Sequence, residues 1–492
     1  MPLDSPCICS NVAGTALSPR RRRGDGSCEV GKGPSSLGGR EPIASRRGAP
    51  PRRGRAVRWG EGARFHTLSA WRHNGAVTAQ IILVRHAESA SNLARRWQGR
   101  GESDLSATGV NQVAAVTPRL KEIAPDLLVS SPLERTKVTA SAIGVPEIDD
   151  RFVEIDLGKW EGLGFDEVVE EHGDELQAIV TDLDQPFGAT GESTNDVIDR
   201  VYGAIGDLVD RVGSGGTAVV VTHGGVIDAI VRHLVPGNTR VFGQVDNTSL
   251  TSLWVHEHWM GIHRFNDVGH LGLHPKAVEE AVAEGEPVLA LVRHGQTRAN
   301  TEYRWQGQEC WGLDEIGEEQ ADALGRFYAS SFDSVYTSPL DRAMSTAARL
   351  TTDPVVVDDL MEMNMGEWEG MTADDIRARD PDLFAAIFER EEDLPRGQTG
   401  ETWESVGERL LGVLRRIKTP GGVITAAVSH GAAIRALITA LAEPDEFTQP
   451  RLASPQNTSV SHLVLGSRGP QFASYGMAPH LDTMLSGQLG RS

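Results

Sequence analysis

Five side-chain positions recur in the same order twice along this chain. Arg85-His86 is followed by Arg135, Glu154 and His223, and Arg293-His294 is followed by Arg342, Glu362 and His430. The His-to-Arg-to-Glu-to-His intervals are 49, 19 and 69 residues in the first set and 48, 20 and 68 in the second. Taken singly, each residue has a bland explanation. A lone His after a strand is more often structural, Arg135 or Arg342 could sit on a helix surface, and Glu154 could be solvated. Two diverging sets that keep all five groups in register are hard to explain that way. Arg offers planar donors that stay charged and match phosphate oxygens. Imidazole can act as a nucleophile toward phosphorus. A carboxylate beside an anion site is a poor ligand, but it suits a general acid that protonates a leaving oxygen and then takes a proton from water. Together these types fit phosphoryl transfer, which needs in-line geometry and positive charge around the equatorial oxygens.

The elements that would position them can be read from hydrophobic patterning. The apolar run Ile81-Ile82-Leu83-Val84 leads into LVRHAESASN (Leu83 to Asn92), and Leu291 to Asn300 reads LVRHGQTRAN. Leu127–Val129 predicts a second strand, followed by Ser130-Ser131-Pro132-Leu133-Glu134-Arg135. Thr217–Thr222 predicts a buried strand that runs into His223-Gly224-Gly225. Val288–Val292 and Ile424–Val428 repeat the pattern, with Thr337 to Arg342 and Ser429-His430-Gly431 at the matching ends. Helical spacing falls at Ala107–Glu122, Leu133–Ile143, Val197–Val212 and Val226–Val235. Strands alternating with helices predict an α/β fold of two tandem three-layer α/β/α sandwiches with mostly parallel sheets. Continuous apolar strands suit a sheet covered on both faces. In such sheets ligands bind outside the carboxyl ends of the strands, where both sets of candidates fall.

The displacement between copies is 208 at His86/His294, Gly109/Gly317 and Glu154/Glu362, 207 at His223/His430 and 210 at Asn247/Asn457. That near-constancy over almost 200 residues means two copies of one domain rather than a solenoid. The expected organisation is a disordered basic segment at 1–76, domains at 77–272 and 287–482, a charged linker at 273–286 and a tail at 483–492. Residues 1–76 hold 14 Lys/Arg against 5 Asp/Glu, whereas the whole chain of 492 residues has a net charge of −20. Val77 opens VTAQIILVRH, so translation from a bacterial GTG codon there, with 1–76 a misassigned start, is one expectation. An acidic body argues against general nucleic-acid binding. No run approaches the roughly 18 apolar residues of a membrane span, and no signal-peptide core is apparent, which points to the cytoplasm. Cys7, Cys9, Cys28 and Cys310 make neither a disulfide framework nor paired metal knuckles.

LVRHGxTxxN, SPLxRxxxTA, GxWEG, GES/GET and THG/SHG resemble the histidine phosphatase superfamily, with its phosphoglycerate mutase-like fold. The resemblance spans about 77–272 and 287–482. It implies that His86 and His294 carry the phosphoryl group during turnover. Arg85, Arg135 and His223, or Arg293, Arg342 and His430, would hold its oxygens. Ser89, Asn92 and Gln98, and Thr297, Asn300 and Gln306, match further substrate-binding positions, and Glu154 and Glu362 match the proton donor. It implies no cofactor, and no carboxylate cluster suits a metal. Ala87, against Gly295 in the second copy, departs from the usual Gly. Glu134 and Asp341 are read as solvent-facing.

Mutases of the family carry longer insertions after the acid and an Asn after His-Gly; here that residue is Gly225 or Ala432. Trp160-Glu161-Gly162 and Trp368-Glu369-Gly370 favour a phosphatase, similar to the broad-specificity and alpha-ribazole phosphatase branches. Phosphoglycerate mutase-type transfer is the alternative, as is one copy being a non-catalytic binding module. His256 and His258 could face a Zn²⁺, but a terminal hairpin with exposed His is the preferred reading. Residues 163–195 and 371–404 would cap the pockets. Their aromatic residues differ (Phe165 and Phe187 against Phe384, Phe388 and Trp403), which predicts different small phosphomonoester substrates.

Overall fold

A computed structural model describes residues 79–237, 241–256, 259–444 and 451–482. The first copy builds strands β1 (Ala79–Arg85), β2 (Leu127–Ser130), β3 (Glu147–Ile148), β4 (Gly216–Thr222), β5 (Leu250–His256) and β6 (Trp259–Asp267). The second builds β7 (Val288–Arg293), β8 (Ser334–Thr337), β9 (Val355–Val356), β10 (Ile424–Ser429), β11 (Val460–Gly466) and β12 (Gly469–Phe472). Each set forms one six-stranded sheet. The orders, β3-β2-β4-β1-β5-β6 and β9-β8-β10-β7-β11-β12, are the same. Four strands of each sheet are parallel, and an antiparallel pair completes one edge.

The period of the strands explains the layers. In β1, Ile82 and Val84 face Val116, Leu120 and Ala140 from helices Ala107–Ile123 and Glu134–Ser141 on one side of the sheet. Ile81 and Leu83 point the other way and are equally buried, under helices Thr194–Val212 and Gly224–Leu234. Burying one such side chain contributes about 1.5–3 kcal/mol. Ser193 starts the long helix with a capping box, accepting from Asp196 N–H. The charged segment 273–286 contains helix Lys276–Ala283, and its Val278 and Ala281 are buried in the core of the second sheet.

The two copies meet along the antiparallel edges. Phe265 and Tyr475 exchange backbone hydrogen bonds of 2.9 and 3.0 Å, and Gly243 N–H donates to Phe472 O at 2.9 Å. Phe242, Phe265, Phe472 and Tyr475 are all buried there. Arg119 adds a buried ion cluster: it holds Asp267 of its own copy at 2.7 Å and Asp482 of the other at 2.5 Å. This seam corrects the expectation of exposed histidines on the β5–β6 hairpin. His263 is buried and stacks on Trp254 of the adjacent strand at 3.8 Å, His256 is half-buried, and β6 bridges to the second copy at Ile262–Leu452 and Phe265–Tyr475. His258 lies outside the described residues, as do residues 1–76, Cys7, Cys9, Cys28 and the tail 483–492. Among the described residues no group of three metal-ligating side chains converges, and no helix is long and apolar enough to cross a membrane.

Candidate active site

The carboxyl ends of the parallel strands bring the first set together. β1 delivers Arg85 and His86, and the His86 N–H is fixed to Thr222 O at 2.9 Å. β4 ends at His223, and Arg135 sits in the first turn of the helix after β2. Glu154 follows the turn Asp150–Phe152. His86, Arg135, Glu154 and His223 are all buried.

The His86 tautomer follows from its neighbour. Nδ1 lies 2.8 Å from Ala87 O; a carbonyl can only accept, so Nδ1 carries the proton and Nε2 keeps its lone pair. Arg135 Nε donates to that Nε2 at 3.3 Å. The His86 and His223 rings lie 5.1 Å apart. His223 Nε2 bonds Ser131 Oγ at 2.7 Å, while its Nδ1 is buried without a partner. Arg85 spends one terminal nitrogen on Val245 O at 2.5 Å and leaves Nε buried and unpartnered. Buried donors without acceptors cost free energy unless an anion meets them. Glu154 accepts from Ile155 N–H at 2.9 Å and from Gly225 N–H at 3.3 Å, at the start of the helix that His223 caps.

Electrostatics sorts the roles. Burial pushes His86 well below the usual histidine value, and Arg135 and Arg85 push the same way, so the ring is neutral. His223 is lowered by burial, then by His86 and the same arginines. Burial raises the Glu154 carboxyl, against the pull of Ile155 N–H, Arg135, Gly225 N–H and Arg85. A raised carboxyl beside a neutral His is the pairing that acid catalysis needs.

The second copy repeats the geometry. His294 Nδ1 bonds Gly295 O at 2.7 Å, His430 Nε2 bonds Ser338 Oγ at 2.8 Å, and the two rings are 5.1 Å apart. Arg293 Nε, Arg342 Nε and His430 Nδ1 are buried without partners. Glu362 accepts from Ala432 and Ala433 N–H at 3.1 and 2.9 Å. Burial lowers Arg293 and Arg342 to about 10, which leaves both charged at neutral pH.

The remaining expected residues shape the loop. Ser89 caps the short turn Ala90–Leu93 and donates to Gln98 at 2.7 Å, and Asn92 returns to Ser89 N–H. Thr297 and Asn300 form the same box. Gln98 ties down Gly101 O and Ser103, whereas Gln306 Oε1 is buried without a partner. Arg135 commits its terminal nitrogens to Gly99 O and Gly101 O at 2.7 and 2.8 Å, and Arg342 does likewise with Gly307 and Glu309. Its Nε is therefore the atom that faces the pocket.

Sequence reasoning missed several positioning groups. Asn247 and Asn457 donate to His86 O and His294 O at 2.9 and 3.0 Å. Thr139 and Thr346 accept from Ala87 N–H and Gly295 N–H. The Glu161 carboxylate gathers the N–H groups of Gly99, Arg100 and Gly101. The signal for all three lay in the duplication, since each recurs at a similar displacement. Of the aromatics that distinguish the second cap segment, Phe384, Phe388 and Trp403 are all buried, and Trp403 bonds Thr439 through Nε1 at 2.8 Å.

Residues 81–268 and 289–477 each match the histidine phosphatase superfamily (branch 1). A metal-independent phosphoserine phosphatase from Arabidopsis thaliana is 32% identical over 212 residues, covering 39% of this chain and 85% of that protein. Phosphoserine phosphatase 1 from Hydrogenobacter thermophilus is 32% identical over 200 residues, 39% of this chain and 94% of its own length. A probable phosphoglycerate mutase, GpmB, from Escherichia coli is 30% identical over 205 residues, 39% of this chain and 94% of its own.

Proposed function

This chain belongs to the histidine phosphatase superfamily, and from that premise we propose that it hydrolyses phosphomonoesters at two tandem sites through phosphohistidine intermediates. The observation that carries the reading is the donor set around the nucleophile. A tautomer-fixed Nε2 is surrounded by buried cationic and imidazole donors, several unpartnered, and the set occurs twice. His86 or His294 attacks phosphorus through Nε2. Arg85, Arg135 and His223, or Arg293, Arg342 and His430, meet the equatorial oxygens. Glu154 or Glu362 gives its proton to the leaving oxygen, then takes one from the water that attacks the phosphohistidine. Ser89, Asn92 and Gln98, with Thr297, Asn300 and Gln306, hold the loop that shapes each pocket. Small phosphomonoesters are the substrates, a class that includes the phosphoserine of the named phosphatase relatives.

The test is phosphate release from a panel of phosphomonoesters by the full chain and by His86→Ala, His294→Ala and the double variant. Each single variant should keep part of the activity and the double variant should lose it. The mutase-named relative supplies the competing outcome: isomerisation of 3-phosphoglycerate in the presence of a bisphosphoglycerate primer, without phosphate release. A single variant with unchanged activity on every ester would make its copy a binding module.

A further inference from the structure

The two pockets share their catalytic groups but differ at one place on the rim. Arg100 follows Gly99, whose carbonyl holds Arg135. Its Nε lies 3.5 Å from Glu154 O, beside the general acid. Gln308 occupies the same place in the second copy, with Nε2 donating to Glu362 O at 3.1 Å. Their partners differ in step. Arg100 faces Asp156 at 3.6 Å, whereas Gln308 accepts from Asn364 at 3.4 Å. A charged pair in one copy is an amide pair in the other.

The ion pairs that flank the two rim positions are matched, whereas deeper in the wall Arg435 of the second copy, close to Arg293 and Glu362, stands where the first copy has Asp228. Arg100 also borders an open surface groove with Pro132, Asp150, Arg151, Val153 and Arg200, which none of His86, Arg135, Glu154 and His223 lines. Arg151 is paired with Asp207, and the second copy has the same pair with its polarity reversed, Asp359 with Arg416. Arg200 is held by Glu192 as Arg409 is by Glu401. Arg100 is thus the rim cation with no counterpart in the second copy. It is loosely held: its side chain is 44% exposed, the Asp156 contact is long, and Glu192, 3.0 Å away, is shared with Arg200. Such a guanidinium can exchange its surface partners for a ligand carboxylate or phosphate at little cost.

We propose that the two sites divide phosphomonoesters by charge. The first takes esters that carry a second acidic group, which Arg100 holds; the second takes esters whose remaining groups are neutral and polar, which the Gln308–Asn364 pair meets. This rests on the hydrolytic reading above. It is tested in the full chain, with His294→Ala isolating the first site and His86→Ala the second. The probes are 3-phosphoglycerate and glycerol 3-phosphate, which differ by a carboxylate in place of a hydroxymethyl group. The acid-to-neutral ratio of kcat/KM should be about tenfold higher at the first site, the size expected of one charge-assisted hydrogen bond. Arg100→Gln should lower that ratio about tenfold through KM, and Gln308→Arg should raise it at the second site. Asp156→Asn keeps the oxygen that accepts from Gly158 N–H but removes a competing carboxylate, so it should raise the first-site ratio. Phosphate release with equal ratios at both sites, or ratios unmoved by Arg100→Gln and Asp156→Asn, overturns the proposal. No release from these two or from any ester of the panel at either site would instead remove the hydrolytic reading, and this proposal with it.

Discussion

Replacing Glu154 by Gln isolates the proton-donor role with little structural change. The amide keeps an oxygen for Ile155 N–H, now 2.9 Å away, and sets an NH₂ against Gly225 N–H, now 3.3 Å from the carboxylate. Exchanging that longer hydrogen bond for a donor–donor contact costs about 1–2 kcal/mol of stability. The chemical loss is larger and selective. A positioned general acid contributes roughly 10²–10⁴-fold, or about 2.7–5.4 kcal/mol of barrier. That loss falls on alkyl phosphates, whose leaving oxygen needs a proton. A nitrophenyl phosphate, whose leaving oxygen is stable as an anion, should lose less than about tenfold in the transfer to His86. The assay is quenched-flow measurement of enzyme-bound phosphate in the His294→Ala background, with both esters. In the parent, alkyl-ester turnover should fall as pH rises through the raised Glu154 value, because the donor form is the protonated one. His86, held well below the usual range, stays neutral throughout. Equal losses on the two esters, or an alkyl-ester loss under about tenfold, would refute the acid role.

Other consequences can be measured directly. Arg119→Met strips the cation from the buried Asp267 and from Asp482, so the urea-derived stability should fall by about 3–5 kcal/mol; a loss below about 1 kcal/mol would contradict a structural role. Gly109→Ala would set a Cβ 2.1 Å from Glu88 O under the first nucleophile loop. The displaced loop should cost the first site on the order of 100-fold in kcat while the second site is unaffected. Burial lowers His270 to about 4 and His480 to about 3. Because these folded values lie below the unfolded one, their stability contribution is complete above about pH 6.5 and is lost as pH falls. Each should account for about 2 kcal/mol of lost stability by pH 5, and a urea midpoint unchanged between pH 7.5 and 5 would exclude it.

The convergence of the candidate set was legible because it occurs twice. His86 alone is one histidine after an apolar run, but His86 and His294 with their Arg, Glu and His at matching intervals constrain each other. The sheets were legible for a similar reason: Ala218 to Val221 is too uniformly apolar for anything but a strand covered on both faces. For the positioning groups the duplication marked the positions but not the roles, because nothing in the sequence pairs Asn247 with a carbonyl 161 residues earlier. The direction of the Arg135 guanidinium depends on the fold of the Gly99–Gly101 loop, which no local pattern reports. The exposure of the β5–β6 histidines was misread because a surface between two copies is defined by complementarity, which neither copy shows alone. That seam is also why point variants of the whole chain, rather than separated halves, are the proper test of each site.

The central claim is that both copies transfer phosphate through a named nitrogen. Rapid quenching with a labelled phosphomonoester, followed by peptide mapping under alkaline conditions that preserve phosphohistidine, tests it most directly. Label should appear on His86 and on His294, be released by acid, and be lost from one peptide at a time in His86→Ala and His294→Ala. Full turnover with no labelled histidine, or label on any other residue, would contradict the account.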